Sequence, residues 1–389
     1  MFSSRLRQAA GRNRLAVALE RRRAAGLPII DLTLSNPTCA NLAYPNGLLT
    51  PMVHDRSLRY EPEPFGLLSA RQAVSDDFAR RGLPVPVSRI VLTASTSEAY
   101  SLLFKLLCDP GDAVLAPRPS YPLVEHLTDL DGVDLEHYRL EFHGRWGLDL
   151  QDLREKAGAG RMRAIIMISP NNPTGSVVTD AELVAMAAIA RDNDLALISD
   201  EVFTDYPISG TQPASALRQQ TALTFTLGGL SKSVGLPQVK LGWIAVGGPA
   251  ALVTDALERL ETICDAYLSV STPVQIAAPD LLSAGAAVRT QIQERVRGNW
   301  AQLTALAPAN PACSVLPAEA GWSAVVQVPA IASEDTIVLD LLEHTGVLVH
   351  PGYFFDFERE AFLVISLLPE PGVFAYAAQT LFGQRGACR

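Results

Sequence analysis

Three polar segments each follow a short apolar run. Ser169-Pro170-Asn171-Asn172-Pro173-Thr174-Gly175 follows Ala164–Ile168, Ser199-Asp200-Glu201 follows Leu195–Ile198, and Gly228-Gly229-Leu230-Ser231-Lys232 follows Leu223–Leu227. Asn172 and Asp200 are 28 residues apart, and Asp200 and Lys232 are 32 apart, each the length of a strand-helix-strand unit or a comparable excursion. If the runs are strands of one parallel sheet, their carboxyl ends share a rim, which is where such sheets bind ligands. An amide, a carboxylate and an amine then converge. That trio suits a pyridine aldehyde: the carboxylate keeps the ring nitrogen protonated so that the ring accepts electrons, while the lysine forms a Schiff base and then shuttles protons as a general base. This is the chemistry of pyridoxal 5′-phosphate.

The elements needed to hold these residues are legible around them. From about residue 88 to 247, apolar runs (Ile90–Thr93, Ala113–Leu115, and the three above, then Leu241–Val246) alternate with helical stretches near 97–108, 121–130 and 180–193. That alternation predicts an α/β fold with a mainly parallel sheet covered by helices. Runs that are apolar throughout predict strands buried on both faces. Thr179-Asp180-Ala181-Glu182 reads as a capped helix start. Beyond about residue 286 the texture changes to a helix over 290–306, a strand over 322–328, a helix over 333–345 and two short strands, a smaller α+β unit. Taken one at a time the polar segments have plainer readings. An Asp after a strand caps or turns, Asn-Pro-Thr-Gly is an ordinary turn, and Ser95-Thr96-Ser97 caps a helix.

Composition narrows the function classes. With 389 residues, 48% hydrophobic and 19% charged, the chain is long enough for two or three domains with clefts between them. A net charge of −9 gives it no general attraction to nucleic acid. No run approaches the roughly 18 apolar residues of a membrane span. The five cysteines, at 39, 108, 264, 313 and 388, suggest neither a disulfide framework nor a metal site, and point to a reducing, cytoplasmic compartment. The arginine-rich start shares a pattern with organelle transit peptides. The competing expectation is an exposed amphipathic helix with Leu6, Ala10, Leu15, Val17 and Leu19 on its apolar side.

The motifs in order resemble the fold-type I, class I/II aminotransferases. Ser169–Gly175, Asp200-Glu201-Val202-Phe203, and Ser231-Lys232 with Leu236-Pro237 and Leu241-Gly242-Trp243 carry the resemblance. Tyr60-Glu61-Pro62 with Gly66 and Arg71, Asp109–Asp112 with Pro119–Pro122, and Ser271-Thr272-Pro273 with Gln275 extend it over nearly the whole chain. The resemblance implies a large cofactor domain over 50–285 and a small domain built from both ends, 1–49 and 286–389. It implies that Lys232 forms the Schiff base, Asp200 partners the pyridine nitrogen, Asn172 donates to the ring hydroxyl oxygen and Tyr121 stacks on the ring. Ser95, Thr96, Ser97, Ser231 and Lys240 would surround the phosphate, joined by Tyr60 from the other subunit of a homodimer with shared active sites. Ser35 and Asn36 are further candidate substrate contacts.

Three positions depart from the pattern. Lys240 stands where the family has a phosphate-binding arginine, keeping the charge and losing the fork. Phe203 stands where a tyrosine donates to the ring oxygen; its loss raises the pKa of the imine unless Tyr206 substitutes. Val364, in Leu363-Val364-Ile365-Ser366, stands where an arginine clamps the substrate carboxylate. Either another cation, Arg118 foremost, grips the carboxylate, or the substrate has none there; His350 belongs to a segment that faces the cleft in relatives. The expected reaction passes an amino group from an amino acid or amine donor to an oxo-acid or carbonyl acceptor. A lyase on the same scaffold is the alternative. A cofactor-binding transcription regulator is disfavoured by the absence of a basic helix-turn-helix region.

Overall fold

The computed structural model describes residues 2–3, 5–6, 13–210, 213–383 and 387. Its centre is an eight-stranded sheet. The strands run, in spatial order, Ile90–Thr93, Gly242–Gly247, Thr224–Gly229, Ala196–Asp200, Met162–Ile168, Ala113–Arg118, Asp134–Phe142 and Trp146–Leu148. Gly242–Gly247 pairs antiparallel with both of its neighbours and Trp146–Leu148 with its one; the remaining pairs are parallel. The expected mainly parallel sheet is therefore present, with two reversed strands.

The apolar runs are explained by burial on both faces. Successive side chains point to opposite sides of a strand, and Ala164 and Ile166 join one core with helices Thr96–Leu107 and Ala250–Tyr267, while Ile165 and Met167 join another with Leu150–Ala157 and Asp180–Asp192. Thr179 and Glu182 form the capping box that starts the last of these helices. Asp134–Phe142 was not foreseen, because its side chains are mostly part-buried or exposed and it lacks a continuous apolar signal.

The second sheet is four-stranded and antiparallel, ordered Ser314–Val315, Ser323–Gln327, Phe362–Ser366, His350–Pro351. A two-stranded parallel pair, Ile30–Asp31 with Val347–Leu348, ties the amino-terminal segment to it, and Ser366 N–H donates to Leu32 O at 2.6 Å. These strands share a core with helices Arg14–Ala24, Glu334–Thr345 and Pro371–Phe382.

Three expectations need correction. The helix expected over 290–306 is the end of a 35-residue helix, Thr272–Leu306, and the boundary drawn at 285/286 falls inside it. Pro279 within that helix reads as a break in sequence, because proline removes a helical N–H. The amino-terminal helix starts at Arg14, capped by Asn13; Leu6 lies in an exposed bend, and Ala10 lies outside the described residues. Cys39, Cys108 and Cys264 are free thiols, but Cys313 is disulfide-bonded; Cys388 lies outside the described residues. The long separations among the cysteines gave no hint of a bridge.

Candidate active site

A cavity of about 430 Å³ opens at the carboxyl ends of the central strands, within the usual size of a small-ligand site. Ile168, Asp200 and Gly229, the last residues of three adjacent parallel strands, all line it. Asn172, Ser231 and Lys232, just beyond those ends, line it too. The convergence expected from spacing is met because the strands are neighbours in register.

Asp200 is buried. Its Oδ2 accepts from the Tyr100 hydroxyl at 3.1 Å and its Oδ1 from the Val202 N–H at 3.2 Å. Burial raises its carboxyl above the ordinary carboxylate value, partly offset by those two donors and by the Lys232 charge. Lys232 sits on the single-turn helix Leu230–Ser233, its Nζ 5.0 Å from the Trp322 ring centroid and 5.7 Å from that of Phe203. Burial pushes its ammonium below the ordinary lysine value, with Asp200 opposing. The site thus holds an acid and a base whose burial disfavours both charges.

Two rings and a helix end frame the pair. Tyr121 lines the cavity, half-exposed and tilted against Phe355 with centroids 6.2 Å apart. Thr96 lines it as the first residue of helix Thr96–Leu107, whose Ser95 cap accepts from Glu98 N–H. The backbone there is seated on Gly242, where a Cβ would come within 2.9 Å of the Ser95 carbonyl carbon and 3.1 Å of Thr96 N. Free N–H groups at a helix start favour an anion. Asn172 Oδ1 accepts from the Ser323 hydroxyl at 3.2 Å, which leaves its amide N–H₂ group as the donor end.

Ser35 and Val364 also line the cavity. The other candidates lie elsewhere. Ser95 and Ser97 flank Thr96 without lining the cavity. Lys240 is exposed, in the left-handed region at φ 59°. Asn36 caps the short helical turn Pro37–Cys39 through Thr38 N–H. Arg118 donates from Nε to Asp356 O at 3.0 Å and does not line the cavity. Tyr60, 74% exposed, lines a separate pocket with Gly66 and Gln275. Tyr206 does not replace the missing donor at Phe203: it is fully buried and its hydroxyl donates to the carbonyls of Lys232 and Ser233.

Among the lining residues not singled out from the sequence are Tyr100 and Trp322. Tyr100 lies four positions after Thr96, so one helix face carries both to the cavity; that spacing was available in sequence. Trp322 packs edge-on against Phe203 and Tyr206 at 5.3 and 5.2 Å, and only the fold brings it there.

Glutamate-pyruvate aminotransferase AlaA of Haemophilus influenzae is 27% identical over 360 residues, 88% of this chain and 87% of that protein. The alanine aminotransferase of Mycobacterium bovis is 28% identical over 362 residues, 89% and 83% of the two. Among solved structures, an Escherichia coli aminotransferase superposes with TM-score 0.85 at 25% identity, over 97% of this chain and 96% of that one. Thermus thermophilus aspartate aminotransferase, at 23% identity, shares the fold with TM-score 0.84, over 97% and 98%. A shared fold alone does not carry a function. Residues 52–381, however, match the family described as aminotransferase class I and II, and that stretch contains Asn172, Asp200, Lys232 and the strand of Val364, so the chain belongs to the class I and II aminotransferases.

Proposed function

We propose that this aminotransferase works with pyridoxal 5′-phosphate held by Lys232 and Asp200, and moves an amino group from an amino acid or amine donor to an oxo-acid or other carbonyl acceptor. The observation that carries the reading is the pair itself: buried Asp200 at the end of one strand and part-buried Lys232 beyond the next open into one cavity. When bound, that cofactor supplies an aldehyde to take up the amino group and a ring to accept the electron pair released at the donor carbon.

The residues present fit such a group. Asp200, its position fixed by Tyr100 and Val202, would hold a proton on a ring nitrogen. Asn172 would donate to the ring oxygen and Tyr121 would cover a ring face. Thr96 and Ser231 would offer hydroxyls, and the helix start its N–H groups, to a phosphate; Ser95 and Ser97 flank Thr96, and Lys240 is the basic residue proposed to join them. Lys232 would anchor the aldehyde and, with burial favouring its neutral amine, would take a proton from the donor carbon and return it. Segments from both parts of the chain line the cavity: Asp200 and Lys232 come from the proposed large domain, Ser35, His350 and Val364 from the proposed small one built from both ends.

With a donor and an acceptor supplied together, product amine and product carbonyl should form one for one without free ammonia. Ammonia released in step with the carbonyl would show an eliminating lyase instead.

Tyr60 supports a shared-site homodimer, since a tyrosine three-quarters exposed in one chain and outside its own cavity is free to reach a second chain. Mixing Lys232→Ala with Tyr60→Ala subunits, each nearly inactive as a homodimer, is expected to restore activity, because one site of each hybrid then has both residues. No recovery in isolated hybrids would place Tyr60 outside the chemistry. For a cytoplasmic location, the three free thiols argue in favour and the bonded Cys313 against. No helix among the described residues is long and apolar enough to cross a membrane.

A further inference from the structure

Among the described residues, the wall of the cavity away from Asp200 carries no fixed positive charge. Among the described residues lining the cavity, Lys232 is the only lysine or arginine, and the proposed chemistry occupies it. Val364 lies in that wall, 2% exposed, on strand Phe362–Ser366 directly across from His350. The His350 ring packs between Phe354 and Phe355, each centroid 5.7 Å away, and burial pushes its pKa down against the opposing charge of Asp31. The imidazole is therefore held toward its neutral form. The wall's hydroxyls are neutral: Ser323 donates to Asn172, and Ser366 accepts from Leu368 N–H at 3.1 Å. Arg118 is turned to the Asp356 carbonyl.

An α-amino acid would bring a carboxylate, attached to the reacting carbon, against this wall. A buried carboxylate without a cation or several donors loses its hydration uncompensated. A neutral amine brings no such charge, and Val364, Phe355 and Trp322 offer it apolar and aromatic contact. Deepening the aminotransferase reading, on which it rests, we infer that this enzyme takes primary amines whose amino-bearing carbon carries no free carboxylate, with an apolar or aromatic body, and passes the amino group to a neutral aldehyde or ketone. Both half-reactions use the same wall, so donor and acceptor share the requirement. The C–N bond breaks at the donor carbon, which is oxidised by two electrons to a carbonyl; the acceptor carbonyl carbon is reduced by two electrons and gains the new C–N bond. Water taken up in the first half is returned in the second. This departs from the alanine and glutamate in the relatives' names.

The test uses the holoenzyme in single turnovers without acceptor, comparing 2-phenylethylamine with phenylalanine and butylamine with norvaline. The second-order rate constant for carbonyl formation is expected to be at least tenfold higher for each amine than for its acid. Acids reacting as fast as their amines, or faster, would overturn the substrate class and leave the aminotransferase reading standing. If neither set yields a carbonyl product with loss of its amino group to the enzyme, both fall. Val364→Arg, checked for native circular dichroism and retained cofactor, should shift the acid-to-amine ratio at least tenfold toward the acid; an unchanged ratio would mean that this wall does not face the substrate. A tenfold fall in the acid rate alone with Arg118→Ala would also overturn the inference, by identifying a hidden carboxylate clamp. The wild-type comparison decides the matter even if Val364→Arg does not fold.

Discussion

Replacing Lys232 by alanine is expected to lower turnover by at least about 10⁴-fold, the upper range for loss of a general base, because the same side chain is also the covalent anchor. The long-wavelength absorbance of the bound cofactor should disappear with it, while the circular dichroism spectrum and the oligomeric state stay those of the wild type. The structural reason for expecting an intact fold is specific. Lys232 stands on a single helical turn, facing aromatic rings at 5.0 and 5.7 Å, in surroundings that disfavour its charge. Removing a buried charge of this kind relieves a desolvation cost, so the cofactor-free variant should melt no lower than the cofactor-free wild type. A structural lysine would behave in the opposite way, losing stability and activity together. Substantial turnover in Lys232→Ala would end the assignment of the whole site, since no other lysine or arginine among the described residues lines the cavity.

How much of this was readable in sequence depended on the range of the interactions involved. Asn172, Asp200 and Lys232 were legible because each follows a run apolar enough to be a doubly buried strand, and one rule about the carboxyl ends of parallel strands then brings them together. The helix start at Thr96 was legible through local capping chemistry, and the capping box at Thr179 and Glu182 in the same way. Orientation was not. Arg118 looked like a clamp by its nearness to Tyr121 in sequence, yet its guanidinium is held by the Asp356 carbonyl, 238 positions away along the chain. Tyr206 looked able to stand in for the tyrosine missing at Phe203, but its hydroxyl reaches the main chain under Lys232. Trp322 enters the cavity only because the second sheet is carried over it by pairings between distant segments, which also bring in His350, a residue the resemblance had placed facing the cleft. Helix length failed for a different reason: Pro279 is tolerated inside Thr272–Leu306, where packing of buried residues such as Leu281, Val288 and Ile292 outweighs a local breaker, and local rules cannot register that.

Asp200 offers the second large effect, and the choice of substitution separates its two possible roles. By its Oδ1 bond to Val202 N–H it is an ordinary turn-forming aspartate, and asparagine performs that role as well, since its carbonyl oxygen accepts the same bond. What asparagine lacks is charge. If Asp200 serves only the turn, Asp200→Asn should be nearly silent; if it holds a proton on the ring nitrogen, the variant should keep its cofactor and lose about 10³-fold or more in proton removal from the donor, within the range for a misplaced or missing proton partner. Tyr100→Phe, which deletes one donor to the same carboxylate and keeps the charge, should cost far less, about tenfold, because one charged hydrogen bond is lost and the ion remains. Stability gives an independent sign. Burial already raises the Asp200 carboxyl above its ordinary value, so in the empty protein its ionised form is a burden, and neutral asparagine should leave the cofactor-free melting temperature unchanged or higher. Bound cofactor reverses that balance, because a protonated ring nitrogen is the opposite charge that a buried carboxylate requires. The wild type should therefore gain more melting temperature from pyridoxal 5′-phosphate than Asp200→Asn does. Equal gains, together with a loss of activity below tenfold, would reduce Asp200 to the turn residue that its backbone bond alone suggests.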